Sequence, residues 1–92
     1  MKITVDYNKP DEEKLMIISA RYLGDFAIRV RFNDGVEQLI DFKPFLKKST
    51  HPQIRKYLNE NEFKNFEIRE GNLNWNDYEM IFPVWDLYKG KI

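Results

Sequence analysis

Hydrophobic and polar residues alternate on both sides of an Asn33-Asp34-Gly35 turn, and this pattern predicts the central β-hairpin of the chain. A three-residue loop, with its glycine in the left-handed region, places Ile28 opposite Ile40 and Arg31 opposite Glu37. A two-residue loop would bring the apolar face of one strand against the charged face of the other. The alternation therefore predicts the three-residue turn.

The run from Leu15 to Tyr22 is rich in apolar and β-branched residues and predicts a strand before this hairpin. With Leu23-Gly24-Asp25 as a second three-residue loop, the three strands form a meander with one apolar face, on which Gln38 is the only polar residue. Such a face cannot stay in contact with water, so the second half of the chain must cover it. Its other predicted members are Met16, Ile18, Ala20, Tyr22, Phe26, Ile28, Val30, Phe32, Val36, Ile40 and Phe42.

Two short helices are predicted after the meander. Pro44 is suited to the first turn of one helix, and Ser49-Thr50-His51-Pro52 begins a better one. Ile54, Tyr57 and Leu58 have helical spacing and form one apolar stripe. A helix of about seven or eight residues is not stable alone in water, so it must pack on the sheet.

A second hairpin is predicted over 66–75, with Gly71-Asn72 as a two-residue loop and Ile68 opposite Trp75. The aromatic segment 77–88, which contains Pro83, is expected to be irregular or to form a single turn over the sheet. The predicted fold is therefore α+β, a three-stranded antiparallel meander plus a second hairpin, with one or two short helices covering one face.

The chain length of 92 residues fits a single domain, which we place at 15–88, with an N-terminal arm or edge strand at 1–14 and a frayed tail at 89–92. The 15 basic and 15 acidic residues balance, which argues against a general nucleic-acid or membrane-surface binder. No signal-peptide core or membrane-spanning run is found, so a cytoplasmic location is expected.

Three arginines, Arg21, Arg29 and Arg31, share the face of the meander opposite the apolar one and could bind an anion or a phosphate backbone. Glu37 lies opposite one of them and Asp41 is diagonal to another. Cross-strand ion pairing on a solvated face is therefore the favoured explanation. Leu15, Ile17 and Leu39 are also predicted on this mixed face, which could contact a partner protein or the N-terminal arm.

Catalytic, metal and cofactor sites are not expected. Asp77, Glu79 and Asp86 are three carboxylates within ten residues, but loop acidity explains them without acid–base chemistry. His51 precedes a proline at a helix start, where capping is the ordinary role. The chain has no cysteine and no second histidine, so a transition-metal site lacks its usual ligands.

The C-terminal aromatic residues are predicted to be mostly core and cover, with Tyr78 and Trp85 the best candidates for exposure. Their neighbours are acidic, whereas base-stacking sheets interleave aromatic residues with Lys or Arg. Exposed aromatic residues beside acids suit a protein contact better. The candidate partner-binding residues are Trp75, Asp77, Tyr78, Glu79 and Trp85.

An ordered series of motifs extends from Leu15 to Tyr88. The motifs are Tyr22-Leu23, Phe32-Asn33-Asp34-Gly35, Asp41-Phe42-Lys43-Pro44-Phe45-Leu46, Phe63, Trp75, Pro83 and Leu87-Tyr88. This series resembles the bacterial domain-of-unknown-function 2442 family. This chain departs from the family by having Asp77-Tyr78 where members often have an Asn-Gly turn, and the interval between Pro83 and Leu87-Tyr88 is one residue longer.

The resemblance implies a small α+β fold and no established activity. Members of this family are often encoded beside a small toxin and are sometimes called antitoxin-like. Our leading hypothesis is therefore a protein-binding module, the antitoxin-like half of a pair with a small toxin. The alternatives are a nucleic-acid-binding module that uses the three arginines and a small enzyme with acidic site residues.

Overall fold

The computed structural model describes residues 14–92, so the predicted N-terminal arm or edge strand lies, except for Lys14, outside the described residues. The turn at Asn33-Asp34-Gly35 confirms the predicted register, since Ile28 pairs with Ile40 and Arg31 with Glu37. Its glycine has φ +91°, the left-handed value that a three-residue loop requires.

The described chain forms two three-stranded antiparallel sheets and four short helices, which confirms the α+β class. The strand order is β1-β2-β3 in the first sheet and β4-β5-β6 in the second. The elements are β1 (Ile17–Gly24), β2 (Ala27–Phe32), β3 (Glu37–Asp41), α1 (Lys43–Lys48), α2 (Pro52–Arg55), a 3₁₀ turn (Lys56–Leu58), α3 (Glu60–Phe63), β4 (Phe66–Arg69), β5 (Asn72–Trp75), β6 (Met80–Ile81) and α4 (Val84–Lys89).

The turn between β1 and β2 is tighter than predicted. Asp25 and Phe26 have φ +52° and +64°, so they form the two-residue connection, and Tyr22 pairs with Ile28 rather than with Phe26. The predicted loop at Leu23-Gly24-Asp25 is wrong because two non-glycine residues take the left-handed backbone. The pairing moves by two residues, so Tyr22 still faces the core.

The start of β1 also differs from the prediction. A register shift between Ile17 and Ser19 turns Ile17 into the core, where it is 2% exposed, and leaves Ile18 outside, 54% exposed. The prediction had these two side chains on the opposite faces. The N–H of Ile17 donates to the carbonyl of Gly71 at 2.9 Å, so the first strand is tied to the second hairpin.

The second hairpin uses Glu70-Gly71 as its loop, with φ +54° and +81°, instead of Gly71-Asn72. Ile68 therefore pairs with Leu73, and Trp75 pairs with Phe66, two residues from the predicted register. The segment predicted as irregular supplies β6, which pairs with β5, and then α4.

A single hydrophobic core lies between the inner faces of the two sheets and is closed by the short helices. Trp75 is fully buried at its centre, with ring centroids 5.6 Å from Phe42 and 5.9 Å from Phe82. Its indole N–H donates to the carbonyl of Phe63 at 2.6 Å. This bond satisfies a polar group that would be costly to bury alone.

The final helix packs on the Asn33-Asp34-Gly35 turn of the central hairpin, between β2 and β3. The carbonyl of Tyr88 accepts a 2.6 Å hydrogen bond from Gln38, the polar residue predicted on the apolar face. The Tyr88 hydroxyl donates to Asp34 at 2.7 Å, and its ring lies 5.0 Å from that of Phe32. At the end of α4, the N–H of Lys91 donates to the carbonyl of Asp86 at 2.9 Å.

Candidate functional site

A left-handed turn follows Trp75 and carries most of the predicted partner-binding residues. Asn76, Asp77 and Tyr78 have φ +52°, +57° and +70°, and the N–H of Glu79 closes the turn on the carbonyl of Trp75 at 2.9 Å. Asparagine and aspartate visit this region readily, but for tyrosine the conformation costs about 1–2 kcal/mol. The turn therefore holds an aromatic side chain where glycine would be free of strain.

Tyr78 is 41% exposed. The guanidinium of Arg69 sits 5.2 Å from the ring centroid and bonds to Asp77 and, at 3.0 Å, to Glu67. The two carboxylates raise the pKa of Arg69 above its ordinary value, and the hydrogen bond that Arg69 donates to Asp77 has the larger effect. These four residues form a surface that we call the Tyr78 surface.

Asn74 lies buried beneath this turn with no exposed surface. Its side-chain oxygen accepts a 2.7 Å hydrogen bond from the N–H of Tyr78. Within the described residues, the Asn74 amide nitrogen has no hydrogen-bond partner. Asn74 thus fixes the backbone of the turn from below.

Glu79 points away from the Tyr78 surface and takes part in a hydrogen-bonded network. Its Oε1 accepts from Asn76 at 2.9 Å, from the Tyr57 hydroxyl at 2.6 Å and from Lys56 at 2.7 Å. These donors, the first of them most, lower the pKa of Glu79 to about 2. Burial, followed by the hydrogen bond to Glu79, raises the pKa of Tyr57. Glu79 therefore joins two segments of the fold.

Two further predicted contact residues do not belong to the Tyr78 surface. Trp75 is enclosed by the core and presents no surface to a partner, so its place among the contact residues is wrong. Trp85 is 54% exposed on α4, and its ring centroid is 5.4 Å from that of Tyr88. The exposure of Tyr78 and Trp85 agrees with the sequence prediction.

The three arginines lie together on the outer face of the first sheet, where Arg21 pairs directly with Arg29. Glu37 reaches Arg29 at 3.4 Å and Arg31 at 4.0 Å, as the predicted cross-strand ion pairing requires. All of these side chains are about half exposed, so the pairs are weak, but they reduce the local positive charge.

Three of the residues considered for catalysis, His51, Asp77 and Glu79, have local structural partners. His51 caps α2 by accepting a 3.3 Å hydrogen bond from the N–H of Gln53, as predicted. Asp77 bonds to Arg69, while Glu79 bonds into its separate network. No group of three or more His, Asp or Glu side chains placed to hold a metal ion is found within residues 14–92.

A family model described as a protein of unknown function, DUF2442, matches residues 17–92. The chain belongs to the DUF2442 family. The match begins at the first residue of β1 and covers both sheets and all four helices of the described chain. Comparisons with curated proteins and with solved structures gave no match.

The description of the DUF2442 family names no activity, and a fold does not by itself specify one. No helix within residues 14–92 is long and apolar enough to cross a membrane.

Sequence reasoning missed two features of the Tyr78 surface. The contact of Arg69 with Tyr78 depends on the pairing of β4 with β5, and the predicted pairing of these strands was wrong by two residues. The left-handed turn had a partial signal in the consecutive Asn76 and Asp77, because both residue types tolerate this conformation. Tyr78 gives no such signal.

Proposed function

We propose that this member of the DUF2442 family is a cytoplasmic protein-binding module without catalytic activity, and that its partner is a small toxin. The chain would then be the antitoxin-like half of the pair. The toxin as partner class comes from the family resemblance. The binding role is supported by the Tyr78 surface.

The observation that carries this proposal is an exposed tyrosine in a strained turn. Residues held in sparsely populated backbone regions are concentrated at binding and switch sites, where the strain serves function. Here the strain places the Tyr78 ring on the surface, 41% exposed, instead of burying it. A glycine at this position would make the same turn without strain, but would offer no ring.

The chemistry around Tyr78 also suits a protein partner. Tyrosine, tryptophan and arginine are enriched where proteins bind each other, and this surface combines Tyr78 with Arg69. The acidic neighbours of the ring make phosphate an unfavourable ligand there. Trp85 supplies a second exposed ring on α4.

Nucleic-acid binding by the arginines has less support, since Glu37 lies against both Arg29 and Arg31. That function predicts affinity that falls steeply with salt concentration. A titration with duplex and single-stranded DNA at low salt distinguishes it from the proposed role.

The test is co-expression of the chain with the small protein encoded beside it, followed by size-exclusion chromatography and calorimetric titration. Co-elution is expected. In the Tyr78→Gly variant, binding is expected to weaken about 30-fold, the loss of a typical hot-spot side chain of about 2 kcal/mol. Ile18→Ser, at an apolar residue of β1 that is 54% exposed against 41% for Tyr78, is the matched control and should leave affinity unchanged.

Stability measurements on the same variants separate contact from folding. Glycine relieves about 1–2 kcal/mol of left-handed strain and loses an exposed cation–π contact of about 0.5–1 kcal/mol. Tyr78→Gly should therefore be at least as stable as the unmodified chain, whereas Tyr78→Ala should be less stable. Failure of the neighbouring protein to co-elute, or equal affinity of Tyr78→Gly, contradicts the proposal.

A further inference from the structure

The free edge of β3 is a second feature with the properties of a binding site. In this antiparallel pairing, Phe32 donates to the carbonyl of Val36 and Phe42 donates to that of Phe26, both at 2.9 Å. Hydrogen-bonded pairs alternate along such a ladder, so Gln38 and Ile40 also bond to β2. The N–H and C=O groups of the residues that alternate with these point away from β2, towards the edge of the sheet.

The outward backbone groups belong to Glu37, Leu39 and Asp41. Within residues 14–92, β3 pairs only with β2, and no backbone group bonds to these three residues from the other side. The Leu39 side chain is 59% exposed, the highest value among the large hydrophobic residues of the described chain. The edge is regular, since the pairing of β3 with β2 contains no bulge.

Proteins usually protect such an edge with a bulge, a proline or a covering element. The opposite edge strand, β1, has two register shifts and bonds to the second hairpin through Ile17 and Gly71. α4 lies against β3 through the hydrogen bond from Gln38 to Tyr88, and within residues 14–92 the outward backbone groups of β3 are protected by two charged side chains only. The exposed leucine between them is the kind of residue that strand addition buries.

The charges on β3 disfavour a second copy of this chain. Antiparallel pairing of two β3 strands with Leu39 at the centre places Glu37 opposite Asp41 twice. Like charges directly opposite each other are destabilising. The register with the longest overlap is therefore the one that the sequence opposes.

The same charges favour a strand with basic residues. Across from Asp41, a Lys or Arg forms a favourable cross-strand pair, and across from Glu37 it adds to the exposed ion pairs with Arg29 and Arg31. An apolar residue between the two basic residues covers Leu39. Asp41 accepts a hydrogen bond from the N–H of Lys43 at 3.1 Å and makes no ion pair within the described residues. Its charge is thus available to a basic residue.

We propose that the edge of β3 binds an extended segment of a partner protein as a fourth antiparallel strand. Every second residue of this segment is in turn basic, apolar and basic, and these three residues face Asp41, Leu39 and Glu37. This inference rests on the proposed protein-binding function and adds a binding mode that is separate from the Tyr78 surface. Backbone hydrogen bonds at Glu37, Leu39 and Asp41 give affinity. The side chains of these residues give specificity.

The probe is a synthetic peptide, Thr-Lys-Thr-Val-Thr-Lys-Thr with blocked ends, titrated into the full 92-residue chain and followed by amide NMR. Binding is expected to shift the amides of the three edge residues and to slow their hydrogen exchange. Two control peptides carry glutamate in place of lysine or an N-methyl group on the central valine. Both should fail to bind, the second because it loses a backbone donor while keeping its charge.

Chain variants locate the site. Neutralising the edge by Glu37→Gln with Asp41→Asn should weaken the lysine peptide about fivefold, as expected for two lost cross-strand pairs. Glu62→Gln with Glu70→Gln removes two exposed acids elsewhere and should leave affinity unchanged. Equal binding of the N-methylated peptide contradicts strand addition, because charge alone would then explain the affinity.

Hydrogen exchange of the free chain tests whether the edge of β3 is instead occupied by the chain's own N-terminal residues or by a second copy of the chain. The Leu39 amide should exchange quickly at every protein concentration. Protection that is independent of concentration shows that the chain's own N-terminal residues occupy the edge, and protection that grows with concentration shows a second copy. Either result overturns this inference. If the toxin binds in a manner sensitive to Tyr78 while the peptide does not bind, the edge proposal fails and the proposed function stands.

Discussion

At the scale of single residues, the carboxylate of Glu79 accepts hydrogen bonds from three side chains. Its donors come from the 3₁₀ turn, through Lys56 and Tyr57, and from the left-handed turn, through Asn76. Because these bonds favour the ionised form, Glu79 binds a proton less readily in the folded chain than in the unfolded chain. Folding stability is therefore linked to pH through this group.

The network should make the chain lose stability in acid. The pKa of Glu79 is about 2 in the folded state against an ordinary 4.5, so the unfolded state binds more protons between these values. The stabilisation is complete above about pH 4.5 and is lost as the pH falls towards 2. Thermal unfolding across this interval should show a smaller fall for Glu79→Gln than for the unmodified chain. Glu62→Gln is the control, and an identical slope for Glu79→Gln contradicts the assignment.

Six non-glycine residues of the described chain adopt a positive φ, and they explain where sequence prediction succeeded and failed. They are Asp25, Phe26, Glu70, Asn76, Asp77 and Tyr78. The central turn was predicted correctly because Gly35 occupies its left-handed position. The other two hairpin loops were predicted at the wrong residues, because Phe26 and Glu70 take a conformation that their residue types rarely adopt. Periodicity located the strands, while turn geometry set their pairing.

At the scale of elements, the second hairpin is held against β1 through its turn. A Cβ atom added at Gly71 would lie 2.8 Å from the Cβ of Met16, and the Gly71 carbonyl accepts from Ile17. Neither contact could be predicted from periodicity, since both depend on how the two sheets meet. The turn thus has a packing role in addition to its backbone role.

Two glycine substitutions separate these roles. Gly35→Ala meets no atom within 4 Å and should cost about 1–2 kcal/mol of unfolding free energy from left-handed strain alone. Gly71→Ala adds a steric conflict worth a further 1–3 kcal/mol or so. Urea denaturation of the two variants measures the difference. Equal losses would show that the hairpin turn does not press on β1.

At the scale of the whole molecule, the two sheets share one core and should unfold together. Trp75 joins them, because its ring contacts Phe42 at the end of the first sheet and Phe66 within the second. The sequence predicted both ends of this contact as apolar. It did not indicate that a second sheet of three strands would form, since β6 has only two residues.

Tryptophan fluorescence tests this cooperativity. The chain has two tryptophans, so Trp85→Phe leaves the buried Trp75 as the only reporter. Its emission should be blue-shifted, and its urea unfolding curve should coincide with that from far-ultraviolet circular dichroism. Two separate transitions would show that one sheet can unfold while the other persists.

The strand order has a consequence for synthesis on the ribosome. Every strand pair in the described chain joins strands that follow each other in sequence, so the first meander can pair as soon as Asp41 has emerged. Its apolar residues, such as Ile28 and Val30, are buried only when Trp75 and Leu87 arrive. During this interval the nascent chain is a paired sheet with an uncovered apolar face. The growing chain is therefore most exposed to aggregation when its first half has formed and its last helix has not.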